Sequence, residues 1–271
     1  MKTRSRPASR ANHFVLLLLT SLLSVSAAHE SQADSLPAAN GVIEITPLIH
    51  SSVQLQYQGL IIQIDPWGIK ESVAMLQADL ILVTDSPSHH LDADTIARLS
   101  HANTTVISPG NGREALPQAL VMQIGESLRV KGINIEAVAA YDIIPGAPEH
   151  PKGDANGYVV TLGGKRLFFA GVTECVAEVQ ALENIDVAFM PMNIPVGRMT
   201  PKAAAQCTRL LNPERVYVYH YDQDWVRRLG NPNYAGSDLP GGITVAESLE
   251  QFAEELEGSE TEFVRGQWYP E

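Results

Sequence analysis

Short hydrophobic runs separated by turn-forming residues recur along the chain from residue 42 onwards. Several are rich in β-branched residues, and 79–84 is a continuous apolar run typical of a buried strand. Gln58-Gly59 and Gly163-Gly164 join neighbouring runs as hairpins. The predicted strands are 42–48, 53–57, 60–65, 79–84, 105–108, 119–124, 133–139, 157–162, 166–170, 186–191, 215–220 and 262–266.

Helical patterns lie between and after these runs. They predict helices over 92–102, 174–182, 201–211 and 245–256. Thr200 provides an N-cap and Pro201 a first-turn residue for the third helix. Two sets of strands with helices between and outside them predict an α/β fold in which two sheets are sandwiched by helices. We expect one domain over residues 41–271.

The N-terminus has the pattern of a secretory signal peptide over residues 1–28. Basic residues precede an apolar run from Phe14 to Val25, and small residues offer a cleavage point after Ala28. The run is too short to span a bilayer, although an uncleaved membrane anchor is the alternative. Residues 29–40 are polar and small, which predicts a loose tether. We therefore expect an exported protein, periplasmic or secreted, with no membrane association after cleavage.

Composition and charge narrow the class of protein. A hydrophobic content of 45% and a charged content of 18% are those of an ordinary globular protein and exclude collagen-like and disordered classes. The net charge is −12, and it becomes −16 without the first 28 residues, which hold four basic residues and no acid. Such a surface repels phosphate backbones, so we expect no nucleic-acid partner. A small-molecule ligand is the expected partner, and the oligomeric state stays open.

Two cysteines, Cys175 and Cys207, are present. An exported protein folds where disulfides form, so one bridge is possible, but no spacing rule supports it. Cys175 is alternatively a small buried hydrophobe or a residue of the pocket.

Histidines collect at the ends of the predicted strands. Beyond the first 40 residues the chain has six, and five lie at these junctions: His50, His89, His90, His150 and His220. Sites in open α/β sheets form outside the carboxyl ends of strands, and neutral imidazole is a common ligand of zinc and similar ions. The pattern therefore favours a metal site.

The order of these segments resembles the metallo-β-lactamase superfamily, within its branch of ascorbate-lactonase-like metallo-hydrolases. The resemblance implies a four-layer αββα sandwich with one or two metals at the sheet edge. Its motifs are IDPW (64–67), ADLILVT (78–84), HHLD (89–92), HPKGDANGYVVTLGGKRLFFAG (150–171), PMN (191–193), MTP (199–201) and VYHY (218–221).

The chain departs from the family's metal-binding motifs. Where active members carry His-x-His-x-Asp-His, this chain has Asp85, Pro87, His89 and His90, and Pro87 has no ligand atom in its side chain. Where the family has Gly-Asp-Thr, whose Asp bridges two metals, this chain has Val172. A two-metal site of the usual kind is therefore not expected. The resemblance implies a single metal bound by some of Asp85, His89, His90, His150 and His220.

Other polar residues at the same junctions are candidates for supporting roles. Asp85 and Asp92 are candidate catalytic carboxylates, although Asp92 suits an N-cap equally well. Asp65 is either a pocket residue or a turn former. Glu174 either replaces the carboxylate that is lost at Val172 or is a first-turn residue of the following helix. The candidates for the pocket or for supporting the ligands are His50, Asp65, Glu174, Cys175 and Asp222.

Two functions follow as hypotheses. The first is a metal-dependent hydrolase of an ester, lactone, amide or phosphodiester, with one divalent metal, zinc by preference. The second is a catalytically silent relative without metal that binds a small molecule or a protein. Hydrolysis of β-lactams is not supported. The stretch 223–242 is either a lid over the pocket or an inert surface loop.

Overall fold

The computed structural model describes residues 1, 33–69, 75–145, 149–192, 197–222, 231, 244–266 and 268, which form two seven-stranded sheets. In the first sheet the strands lie in chain order: β1 (Asp34–Ala38), β2 (Gly41–Ile49), β3 (Ser52–Tyr57), β4 (Leu60–Ile64), β5 (Leu80–Leu82), β6 (Thr105–Ser108) and β7 (Leu120–Val121). The second sheet repeats this order: β8 (Ser127–Val130), β9 (Ile133–Ala140), β10 (Ala155–Leu162), β11 (Lys165–Phe169), β12 (Val187–Pro191), β13 (Arg215–Tyr219) and β14 (Glu262–Val264).

Each sheet has an antiparallel half and a parallel half. Strands β1 to β4 pair antiparallel and β4 to β7 pair parallel. In the second sheet, β8 to β11 are antiparallel and β11 to β14 parallel. Because carboxyl ends of parallel strands meet at one edge of a sheet, the residues that follow β4, β5, β11 and β13 are brought to a common edge.

The main core lies between the two sheets, with residues such as Ile45, Leu55 and Phe168 fully buried in it. Helix α1 (Ala93–Leu99) packs on the outside of the first sheet, where Ile96 and Leu99 join a smaller cluster with Ile81 and Val83. The other α-helices of the described residues are α2 (Ala177–Gln180), α3 (Pro201–Leu211) and α4 (Val245–Leu256). These layers confirm the αββα sandwich.

The structure corrects the expectation of a loose tether over 29–40. Residues 34–38 form β1, which pairs with β2 and buries Leu36 in the main core. The hydroxyl of Tyr217 donates to Asp34 at 2.9 Å and ties this edge strand to the second sheet. Only Leu36 of β1 is fully buried, and Ala38 packs against the core from a partly buried position. Strand β8, also an edge strand, was not predicted either.

A disulfide joins Cys175, in the turn before α2, to Cys207 in α3. Cys175 therefore has no free thiol to act in the pocket. Residues 2–28 of the predicted signal peptide, 29–32 of the predicted tether and all of 223–242 except Asn231 lie outside the described residues. Within the part of the chain that the structure describes, no helix has the length and apolar character needed to span a bilayer.

Candidate metal centre

Four loops meet at one edge of the sandwich and bring the five predicted histidines together. His50 lies in the turn between β2 and β3, and His89 and His90 lie between β5 and α1. His150 precedes β10, and His220 directly follows β13. The first sheet thus supplies three of these histidines and the second sheet supplies two.

Four of them, His50, His89, His90 and His220, form what we call the histidine cluster. One ring nitrogen from each of His50, His89 and His220 lies within 4.8 Å of the other two. The ring centroids of His50 and His220 are 4.0 Å apart, and those of His89 and His90 are 4.5 Å apart. Three of the four residues are buried and His89 is half-buried.

His90 connects a carboxylate to His220. Its Nδ1 lies 2.7 Å from Oδ2 of Asp65, and its Nε2 lies 3.2 Å from Nε2 of His220. Asp65 is held in turn by Thr84, whose backbone N–H and hydroxyl both donate to its carboxylate. A carboxylate in this position is suited to accept the Nδ1 proton, an arrangement common for histidines that bind a metal through Nε2. Nδ1 of His220, by contrast, has no hydrogen-bond partner among the described residues.

Three of these site residues adopt left-handed backbone conformations, with φ of 57° at His50, 42° at Asp65 and 60° at His220. This region is uncommon for residues with a β-carbon and costs about 1–2 kcal/mol per residue. Each residue lies immediately after a strand, where the left-handed turn directs the chain away from the sheet edge. The backbone N–H of His220 also donates to the carbonyl of His50 at 3.1 Å.

The surroundings of His50, His89 and His220 favour their neutral imidazoles. Burial and the neighbouring His90 and His150 lower the pKa of His89 to about 3. Burial, followed by nearby histidines, lowers the pKa of His50 and that of His220 well below the ordinary value. A neutral imidazole has a lone pair available for a metal.

A second polar group adjoins the cluster. Nε2 of His150 lies 3.5 Å from Oδ2 of Asp85, and its Nδ1 lies 3.4 Å from Oδ1 of Asp142. Asp142 pairs with Arg198. Burial lowers the pKa of His150, although the charge of Asp85 opposes this shift. Asn111 donates to Oδ1 of Asp85 at 2.6 Å, whereas the buried Oδ2 makes no hydrogen bond within the described residues.

Pro87 and Val172, the two motif positions without a side-chain ligand atom, have structural roles in a turn and in an apolar cluster. The carbonyl of Pro87 accepts from the N–H groups of His90 and Leu91, each at 2.8 Å, and so begins the turn that leads to α1. Val172 is buried in a small apolar cluster with Ala140 and Ala155. Neither environment offers a charged ligand at the position where the family motif has one.

Three predicted candidates make contacts of a different kind. The carboxylate of Asp92 caps α1. It accepts hydrogen bonds from the backbone N–H of Gly68 and from the N–H and hydroxyl of Thr95, so both of its oxygens are engaged. Burial raises the pKa of Asp92, but these hydrogen bonds outweigh burial and lower it overall. The carboxylate of Glu174 accepts from the backbone N–H groups of Ile143 and Ile144. Burial, then the charge of Asp222, raises the pKa of Tyr221.

Other polar residues of this edge were not predicted from the sequence. Ser51 lies 3.1 Å from Nδ1 of His90, and Thr84, Asn111 and Asp142 make the contacts described above. Asp142 follows β9 at the same edge, so its position after a strand is a signal that would have identified it. Ser51 and Thr84 lie next to recognised candidates but have no distinctive spacing of their own.

The residues present fit a transition-metal ion. Neutral imidazoles meet in a buried place, and the unpartnered Nδ1 of His220 is the kind of buried polar atom that a metal would satisfy. The three residues whose ligand atoms lie within 4.8 Å of one another are all histidines. Magnesium and calcium sites are instead built from oxygen ligands such as carboxylates.

The sequence of this chain matches the family model of the beta-lactamase superfamily domain over residues 44–220. This chain belongs to the metallo-β-lactamase superfamily. The match begins in β2 and ends at His220, so it includes every residue of the histidine cluster. The resemblance predicted from the motifs is therefore confirmed at the level of the superfamily.

Individual relatives agree with this assignment. A UPF0173 metal-dependent hydrolase of Thermus thermophilus is 30% identical over 196 residues, which cover 67% of this chain and 84% of that protein. A crystal structure of a candidate metal-dependent hydrolase from Parabacteroides distasonis is 29% identical, with a TM-score of 0.74, and covers 88% of this chain and all of the other. A metallo hydrolase from Ignicoccus hospitalis, at 22% identity and a TM-score of 0.59, shares the fold.

Proposed function

We propose that this protein is a metal-dependent hydrolase that uses one divalent metal ion bound in the histidine cluster. The observation that carries this proposal is the group of ring nitrogens from His50, His89 and His220 within 4.8 Å of one another at the sheet edge. The similarity to proteins named metal-dependent hydrolases supports the same reaction class. We expect one ion rather than two because Pro87 and Val172 provide no ligands for a second.

A zinc-class ion in this position would act as a Lewis acid on a carbonyl or phosphoryl oxygen and make water a nucleophile near neutral pH. The residues of the chain complete the site around it. Oδ2 of Asp85 is buried and available as a hydrogen-bond acceptor, and His150 lies 3.5 Å from it. Asp85 is thus suited to accept a proton from water or from the substrate. Asn111 fixes the other oxygen of this carboxylate.

We propose small molecules with an ester, lactone, amide or phosphodiester bond as the substrate class. We also propose that the protein is exported, with residues 1–28 as the signal peptide. The disulfide between Cys175 and Cys207 supports export, because such bonds persist in oxidising compartments. Zinc is the metal that we propose first, since imidazole ligands suit it.

The test is the metal content of the purified protein, prepared without chelators and measured by plasma mass spectrometry. We expect about one equivalent of metal per chain in the wild type and a large loss in His220→Asn. Asn is chosen because it tolerates the left-handed backbone of His220 better than Ala does. The matched control is His101→Asn, since His101 is exposed and lies outside the cluster.

Activity is then measured on a panel of esters, lactones, amides and phosphodiesters. The proposal predicts turnover by the metal-loaded wild type and none by His220→Asn. Wild-type protein that holds no metal, even after incubation with excess zinc, would contradict it. That result would favour the alternative of a silent relative that binds a ligand without metal, for which the apolar surroundings of Val172 are the supporting observation.

A further inference from the structure

Two large apolar side chains, those of Ile143 and Ile144, are exposed at the same sheet edge as the histidine cluster. Their exposed fractions are 55% and 44%. Single hydrophobic residues are ordinary on a protein surface, whereas contiguous apolar surface marks places where a ligand or partner binds. Among the exposed large hydrophobic residues of the described chain, these two alone are neighbours in sequence. Their position beside the candidate site therefore needs an explanation.

The backbone that carries them, residues 141–144, is fixed on one side by the turn before α2. We call it the 141–144 segment. The buried carboxylate of Glu174 accepts from the N–H groups of Ile143 and Ile144, the second at 2.8 Å. The N–H of Glu174 donates to the carbonyl of Tyr141 at 3.1 Å. The two isoleucines thus project from a backbone that is held before any ligand binds, which lowers the entropy cost of a contact with them.

On its other side the 141–144 segment is joined to the site. Oδ2 of Asp142 accepts from the N–H of His150 at 2.8 Å, and the N–H of Asp142 donates to the carbonyl of His150 at 3.0 Å. Nε2 of His150 lies 3.5 Å from Oδ2 of Asp85, the group proposed above to accept a proton. Ile143 is therefore the next residue in the chain after a direct neighbour of the reacting groups.

The two cations that the described contacts bring to the 141–144 segment are both paired with carboxylates. Arg198 pairs with Asp142. Lys152 lies over the ring of Tyr141, 5.0 Å from its centroid, and pairs with Glu178. These contacts leave apolar surface, rather than positive charge, as what the segment offers to a substrate.

The first sheet also brings apolar surface to the histidine cluster. The ring of Trp67 makes edge contacts with those of His50 and His89, at centroid distances of 5.7 and 6.1 Å, and Trp67 is half-buried. Its backbone N–H donates to the hydroxyl of Ser52 at 3.1 Å, which holds the residue in place. Concave sites with apolar walls and a few polar groups are typical of small-molecule binding.

We infer that Ile143 and Ile144 bind the apolar part of an uncharged substrate, and that this contact selects esters with an alkyl chain over anionic substrates of the same length. The inference rests on the proposed function, because it names the substrate class of the same site. Contacts with parts of the substrate that do not react raise kcat/KM when they persist in the transition state. Each methylene group that the isoleucines cover is expected to raise kcat/KM about two- to fourfold.

The experiment measures kcat/KM of the full, zinc-loaded chain on para-nitrophenyl acetate, butanoate and hexanoate, each divided by the rate of the reaction with hydroxide. The para-nitrophenyl monoester of adipic acid has the chain length of the hexanoate but ends in a carboxylate. We expect the wild type to prefer hexanoate to acetate by about two- to fourfold per methylene, and to prefer hexanoate to the charged ester.

The double variant Ile143→Asn, Ile144→Asn removes the apolar surface and keeps the N–H groups that Glu174 binds. We expect its ratio of hexanoate to acetate kcat/KM to fall close to one, with the metal content and the urea midpoint of the wild type. The matched control is Leu210→Asn, since Leu210 is 61% exposed on α3. This control should keep the ratio of the wild type.

A wild-type ratio close to one would overturn the inference, and so would an equal ratio in the double variant or faster turnover of the charged ester. In these cases the turnover itself would uphold the proposed function. If the wild type turns over no ester, the proposed function loses support, and calorimetry with two uncleavable ketones tests the contact alone. Tighter binding of methyl hexyl ketone than of methyl ethyl ketone, lost in the double variant, would support the contact; equal binding would overturn it.

Discussion

The carboxylate of Asp65 and the imidazole of His90 form a fully buried pair in which Oδ2 and Nδ1 are 2.7 Å apart. Each partner comes from a loop after a parallel strand of the first sheet. Thr84 donates twice to the same carboxylate, so its orientation is fixed on both sides. The pair therefore fixes the orientation of the His90 ring, whose Nε2 faces Nε2 of His220 at 3.2 Å.

Replacement of Asp65 by Asn tests this pair. The amide would present N–H to the protonated Nδ1 of His90, so His90 would have to change tautomer and would lose its acceptor towards His220. We expect zinc affinity to fall about 10–100-fold. Chelator competition measures the change, and Asp154→Asn, at an exposed turn, is the matched control. Unchanged affinity would mean that the pair has no influence on the metal.

Replacement of Asp85 by Asn separates catalysis from metal binding. Asn111 can still donate to the amide oxygen, but the amide NH2 then replaces the buried acceptor Oδ2 with a donor. We expect turnover to fall about 10²–10⁴-fold, the usual contribution of a general base, with the metal content unchanged. Loss of the metal in this variant would identify Asp85 as a ligand instead. Asp94→Asn, on the exposed side of α1, serves as control.

Reduction of the disulfide is predicted to destabilise the fold. The two cysteines are 32 positions apart, and cross-linking a loop of that length stabilises a protein by about 3–4 kcal/mol in the chain-entropy account. We expect the free energy of unfolding in urea to fall by this amount when a phosphine reductant is added. The double variant Cys175→Ala, Cys207→Ala should show the lower value with and without reductant. A reductant effect on that variant would exclude the disulfide as its cause.

Gly163 is predicted to resist substitution more strongly than its neighbour Gly164. Both have positive φ, so an alanine costs about 1–2 kcal/mol at either position. At Gly163 a Cβ would also lie 2.8 Å from atoms of Ala38 and Tyr57, whereas at Gly164 no atom lies within 4 Å. We expect Gly163→Ala to lose about 1–3 kcal/mol more than Gly164→Ala in urea unfolding. Equal losses would show that the contact relaxes freely.

Most of the fold could be predicted from the sequence because its strands are apolar runs with clear turn residues between them. The helix over 201–211 has the bounds expected from Thr200 and Pro201. Strand β1 could not be predicted, because it buries only Leu36 fully and its pairing with β2 is a contact between backbones. Edge strands of this kind have little hydrophobic pattern to detect.

The site could be predicted in its location but not in its pairings. Position after a strand identified all four histidines of the cluster, since strand ends meet at one edge. Sequence spacing carries no information about which ring nitrogens face each other. The contact between His90 and His220 spans 130 positions and depends on how the two sheets dock. For the same reason the sequence did not show that a ring nitrogen of His50 lies near those of His89 and His220.

The hydrogen bond between the backbone of His220 and that of His50 fastens the end of β13 to the end of β2, and thus one sheet to the other. The distance between the rings of His50 and His220 therefore depends on the packing of the two sheets against each other. We therefore expect the affinity for the proposed metal ion to depend on how the two sheets are aligned. A substitution that opens a cavity in the inter-sheet core, far from the site, should weaken metal binding before it unfolds the chain.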